Sequence, residues 1–222
     1  MIAPQDLLHL MPDGLLASEL AWLIFVLCKK GFDLNKLNAR MKQSDVKRML
    51  PADVRIPAFP SNLTEGVTGG RPASSRTVRM TGSQCMHFSL HSFNILNPLL
   101  TNKMRADPAW RSWLKLVELF AYVVQHEIGC ADIEVIDDLV LEHSAAFDAV
   151  PQYNGLKRPK HHFLSHLASD IWRYGPPRGY WCFGFEAFNR LIKRGAMRSN
   201  WKNTTLSIMQ YWSARSARFF RL

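Results

Sequence analysis

Apolar residues along this chain recur at three- and four-residue spacing, and stretches that alternate apolar with polar are never more than a few residues long. That rhythm predicts helices almost throughout. Residues 15–30 read as an apolar helix closed by Gly31. Asp33 then offers an N-cap before Leu34, Leu37 and Met41, and a short turn from Ser44 has to stop by Pro51. A helix is predicted from Thr81, with Thr81 or Ser83 as its cap, to about Leu100. The next start is sharper, with Asp107 as N-cap and Pro108 at the first helical position. Trp110, Trp113, Leu114, Val117, Phe120 and Ala121 follow at helical spacing up to Gly129. Further helices are expected over 132–150, over 160–174 before the breaker Gly175-Pro176-Pro177, over 183–197, and from a cap near Asn203 to about Phe220.

Residues 51–79 break the pattern. Four prolines, three glycines and several Ser and Thr make them a long irregular loop or linker. The expected fold class is therefore all-α, a single multi-helix globular domain with a long irregular loop. Its segments would be a helical stretch over 1–50, the loop over 51–79 and a helical domain over 80–222.

Composition narrows the class. At 222 residues and 47% hydrophobic content the chain can bury a substantial core. The longest apolar run, "LLASELAWLIFVLC" at 15–28, carries Glu19 and is shorter than the ~18 residues of a membrane span. It reads as a buried helix, so no membrane partner is expected. Cys28, Cys85, Cys130 and Cys182 form no CxxC pair and no secretory leader is evident, which favours reduced thiols in an intracellular, not secreted, protein.

Charge is unevenly distributed. Residues 1–150 hold 15 Lys+Arg against 16 Asp+Glu, whereas residues 151–222 hold 13 against two, Asp170 and Glu186. The whole net charge of +10 thus comes from the last third. A surface of this kind suits a polyanion, with nucleic acid foremost; a basic face kept for solubility is the alternative.

The chemistry-bearing residues concentrate in "HHFLSHLASDIWRYGPPRGYWCFGFEAFNRLIKR", 161–194. His162 and His166 are four apart on one helix, which is a metal-ligand spacing, although the glutamate of a hydrolytic zinc motif is missing. Glu186 opens a helix whose next turns carry Arg190, Lys193 and Arg194. There the helix dipole and a pairing with Arg190 both favour its ionised form, so a structural and a catalytic reading stand side by side. The acids Glu134, Asp137, Asp138 and Glu142 read as a solvated helix face.

Three stretches carry a resemblance: "MTGSQCMHFSLHSFNILNPLL", "DPAWRSWLKLVELF" and "KRPKHHFLSHLASDIWRYGPPRGYWCFGFEAFNRLIKR". In that order they resemble the C-terminal region of CACTA-type (En/Spm-like) transposases and related transposon-encoded proteins. The most specific block runs from Gly175-Pro176 through Tyr180-Trp181 to Phe185-Glu186, and "NWKNTTLSIMQYW" is similar to the segment that follows it. The resemblance covers roughly residues 80–212.

It implies a DNA-cutting and DNA-joining ancestry in which three acids hold two divalent metals, Mg or Mn. Glu186 is the position that would correspond to the third acid. The strands that carry the first two acids have no counterpart in the pattern here, so a self-sufficient nuclease is not expected. Any activity would be metal-dependent strand transfer or DNA hydrolysis completed by another chain.

Three readings follow. The leading one is a transposase-derived, DNA-associated and nuclear helical protein. In it Arg190, Lys193, Arg194, Arg198, Lys202, Arg215 and Arg218 contact phosphates, and Tyr180, Trp181 and Trp201 are candidates to stack on unpaired bases. Its partners would be DNA and a transposase chain or a second copy. The second is a protein-interaction or scaffold module. The third is a metal-dependent nuclease part using catalytic Glu186 with His162 and His166 as metal ligands.

Overall fold

A computed structural model describes residues 4–63, 77–197 and 203–219, and every regular element among them is helical. The chain is all-α. Among the described residues twelve α-helices run in order: α1 Leu7–Leu10, α2 Ala17–Lys29, α3 Leu34–Arg40, α4 Ser44–Met49, α5 Gly82–Leu96, α6 Asn102–Arg105, α7 Pro108–Val123, α8 Cys130–Asp148, α9 Pro159–Leu164, α10 Leu167–Tyr174, α11 Phe183–Met197 and α12 Thr204–Phe219. Residues 1–180 and 181–222 form two separate compact units. The irregular stretch predicted for 51–79 lies within the first; its residues 64–76 are outside the described residues.

The centre of the larger unit is a longer helical segment than the apolar run suggests. It starts at Leu7, where the Asp6 carboxylate accepts from the backbone N–H groups of Leu8 and His9. It continues to Lys29 through a π-helical turn, Met11–Leu16. That turn contains Pro12 and Gly14. Proline cannot donate to the helical ladder, and a wider turn absorbs that loss without ending the helix. Gly14 is required here, because a Cβ on it would lie 2.5 Å from the His9 carbonyl oxygen and 2.9 Å from the Lys160 side chain. Gly31, at φ +90°, turns the chain out of α2. Leu7–Lys29 is long and apolar enough to cross a membrane, but 89% of its most apolar window is buried inside the protein.

Around this segment pack α5 and α7, with α8 running back along α7 and α10 lying on α8. The starts of α5 and α7 follow the predicted capping. The Thr81 hydroxyl accepts from Gln84 N–H while the Gln84 side chain accepts from Thr81 N–H. Asp107 caps α7 by accepting from Ala109 N–H at 2.8 Å and also pairs with Lys30. Trp110, Trp113, Leu116, Leu119, Phe120 and Val123 of α7 are buried, each side chain contributing about 1.5–3 kcal/mol on transfer from water. The buried Trp113 Nε1–H donates to Ser92 Oγ at 3.0 Å, and that hydroxyl donates to the Ser89 carbonyl at 2.7 Å.

Two boundaries differ from expectation. Helix α7 ends at Val123, and Gly129 is the N-cap residue of α8. The helix expected over 160–174 is two helices, because Ser165 N–H and His166 N–H donate to carbonyls only three residues back, at His162 and Phe163, before the α-helix resumes at Leu167.

Candidate functional site

His162 and His166 share a face despite the break between their helices. Both are exposed, with rings at 89° and Nε2 atoms 3.3 Å apart. Among the described residues of the larger unit, no Asp, Glu, Cys or third His joins them in a three-ligand cluster. Tyr180 closes this unit. Its ring is half-buried against Tyr174, and burial pushes its phenol up to about 12, with the charge of Asp170 adding to the effect.

The smaller unit is the antiparallel pair α11 and α12. Glu186 lies in the first turn of α11, exposed, its N–H donating to the Cys182 carbonyl at 2.9 Å. Arg190, Lys193 and Arg194 are exposed on the same helix. Trp181 stacks edge-on against Phe183 with centroids 4.7 Å apart. Arg198, Trp201 and Lys202 lie outside the described residues, as do the side chains of Arg215 and Arg218, whose backbone belongs to α12. His162 and His166 belong to the larger unit and Glu186 to the smaller.

The structure also holds a polar centre that sequence reasoning missed. Glu19, on α2, is 1% exposed in the middle of the core. Its carboxylate faces two imidazoles: His143 Nε2 of α8 is 3.1 Å from Oε2, and His161 Nε2 of α9 is 3.3 Å from Oε1. The two rings are nearly parallel, 8° apart. His161 also stacks on Trp22 and leans on Phe147.

One tautomer follows from the hydrogen bonding. The Arg158 backbone N–H donates to His161 Nδ1 at 2.9 Å, so a neutral His161 carries its proton on Nε2, facing Glu19. Burial alone would push the Glu19 carboxyl up. The His143 ring beside it and its hydrogen bond, together with the His161 ring 3.3 Å away, outweigh that and hold it below the usual carboxylate range. A second layer encloses the group. Arg158 lies over the Trp22 ring at 5.1 Å and donates to Ser18 Oγ at 2.6 Å, and Ser18 Oγ donates to the Gly14 carbonyl at 2.8 Å. The Tyr153 phenol is raised well above its usual value, first by burial and then by the charge of Glu19.

The Glu19, His143 and His161 side chains are all buried, and the centre is a clamp that ties α2, α8 and α9 together. Its consequence for chemistry is positional. His161 points inward to Glu19 while its neighbour His162 points outward to His166, so the clamp orients the exposed histidine pair.

The chain matches no family model, no curated protein and no solved structure.

Proposed function

We propose that this is a transposase-derived, DNA-associated helical protein that meets phosphate backbones through its last third. The observation that carries the reading is the smaller unit. Residues 181–222 hold eight Lys+Arg against one acid, Glu186, and Arg190, Lys193 and Arg194 stand exposed on α11. A short cationic helix surface of this kind neutralises phosphates and releases condensed counterions, which supplies affinity without sequence readout. The resemblance of residues 80–212 to transposase C-terminal regions supports DNA, rather than another polyanion, as the partner.

The two-metal chemistry that the resemblance implies does not fit the smaller unit. Mg and Mn sites of that kind need several converging carboxylates, and Glu186 is the single acid of residues 181–222. The protein accordingly binds DNA and leaves strand chemistry to acids from another chain.

A second reading, part of a metal-dependent nuclease, draws on the histidine pair. Two ligand nitrogens 3.3 Å apart match neighbouring ligands of a tetrahedral ion with bonds of about 2.0–2.1 Å. Imidazole suits zinc, copper or nickel better than magnesium.

Both readings are tested by incubating the full chain with labelled duplex and single-stranded DNA at low salt, with and without Mg, Mn or Zn. The proposal expects metal-independent binding, reduced at least tenfold when Arg190, Lys193 and Arg194 are all changed to Glu. Absence of binding to either form overturns it. Metal-dependent nicking that vanishes in Glu186→Gln replaces it with the nuclease reading.

A further inference from the structure

The α11–α12 pair leaves an apolar surface uncovered. On α11, Phe185, Phe188 and Ile192 recur at i, i+3 and i+7; on α12, Leu206, Met209 and Trp212 recur at three-residue spacing. Phe188 and Trp212 meet edge-to-face with centroids 4.8 Å apart, so the two stripes join into one surface. Exposure is high for side chains of this type: Phe185 72%, Phe188 40%, Leu206 49%, Met209 61% and Trp212 41%. Two helices alone cannot cover such a surface, because units of this size bury too little area to close a core.

We infer that this surface is a dimer interface, in which the α11–α12 hairpins of two copies pack face to face as a four-helix bundle. Three observations select a second copy over other occupants. Leu206, Met209 and Trp212 on α12 and Phe185, Phe188 and Ile192 on α11 are all apolar, and α12 carries no charged residue before Arg215. Pairing these six positions with their copies therefore buries no charge.

At 100° per residue, Arg190 and Arg194 fall on the arc of α11 opposite Phe185, Phe188 and Ile192, and Lys193 falls on its flank. A two-fold pairing thus points the cations of both copies outward and apart. An acidic partner would be drawn to that basic arc and would leave the apolar one uncovered.

The area is sufficient as well. At about 200 Å² for a fully exposed large side chain, these five residues offer about 500 Å² per copy, hence about 1,000 Å² across a two-fold interface. That reaches the lower bound for a specific protein–protein contact before any flanking residue is counted. The two helices, 15 and 16 residues long, match in length as a bundle of hairpins requires.

The dimer does not rest on the DNA reading, since it is measured without nucleic acid. The test is sedimentation of the full chain between about 1 and about 100 µM, the range in which an interface of minimal size dissociates. The wild type is expected to pass from monomer to dimer. Phe185→Glu and Met209→Glu, and the milder Met209→Ser, should each weaken association by tenfold or more with unchanged helical circular dichroism. Leu141→Glu, on the exposed face of α8, should leave association unchanged.

A wild type that stays monomeric at the highest concentration overturns the inference. So does a dimer that survives both glutamate variants. A monomer that instead floats with anionic phosphatidylserine vesicles, and loses this with Phe185→Glu, assigns the surface to a bilayer and overturns it equally.

Discussion

Replacing His143 by Ala removes one of the two imidazoles that face Glu19 and leaves a carboxylate 1% exposed with half its compensation. Removing one partner of a buried charge costs about 3–5 kcal/mol, because the remaining charge stays desolvated without it. For a unit of this size each kcal/mol lowers the melting temperature by about 2–4 °C, so His143→Ala should melt about 6–20 °C below wild type. The cause is separable from simple loss of packing. Changing Glu19→Met, His143→Leu and His161→Phe together removes every charge from the centre, and apolar replacement of a buried ionic group is often neutral or stabilising. The triple variant should therefore recover most of the loss.

The pH dependence has a definite sign. Glu19 is held below its ordinary value of 4.5 in the fold, so its contribution is fully present above that value and is lost as pH falls through the lowered one. The stability gap between wild type and Glu19→Gln should shrink on acidification below about pH 4.5. The assay is thermal unfolding followed by circular dichroism at several pH values. A His143→Ala melting temperature within a degree or so of wild type, or a triple variant worse than the single one, would refute the clamp.

Other consequences are simpler to read. Gly14→Ala should destabilise by at least about 2 kcal/mol in urea unfolding, since the new Cβ meets a backbone carbonyl that cannot step aside. Thr81→Ala should cost about 1 kcal/mol by uncapping α5, and Thr81→Ser should restore most of it. Asp107→Ala should cost more than Thr81→Ala, because it uncaps α7 and also strips Lys30 of its partner. Thiol labelling at neutral pH should modify exposed Cys130 first and leave Cys85 untouched in the folded protein, since burial excludes reagent and pushes that thiol up to about 12.

The parts of the fold legible in the sequence are those governed by local chemistry. Asp107-Pro108 announced the start of α7, and the bounds expected for α11 are those observed. The expectation for α12 was within one residue at its C-terminal end. Where local signals misled, the neighbours decided. The helix expected from residue 15 begins at Leu7, because a π-helical turn over Met11–Leu16 carries it through Pro12 and Gly14. An apolar rhythm across 160–174 concealed the break at Ser165 and His166.

The candidate site divides in the same way. The four-residue spacing of His162 and His166 was enough to place their rings together. No spacing links Glu19 to His143, 124 residues away, so the clamp was invisible as a motif. One signal did point to it: a glutamate in the middle of an apolar run has to find a partner if the run is buried.

The most direct test of the account is the salt dependence of DNA binding by the full chain. Each phosphate neutralised contributes about −0.9 to the slope of log affinity against log salt. The account predicts a wild-type slope of about −4 or steeper. With Arg190, Lys193 and Arg194 each changed to Gln, the slope should become shallower by about three. A flat wild-type slope, or a steep one that those substitutions leave unchanged, would contradict the assignment of the basic third to DNA.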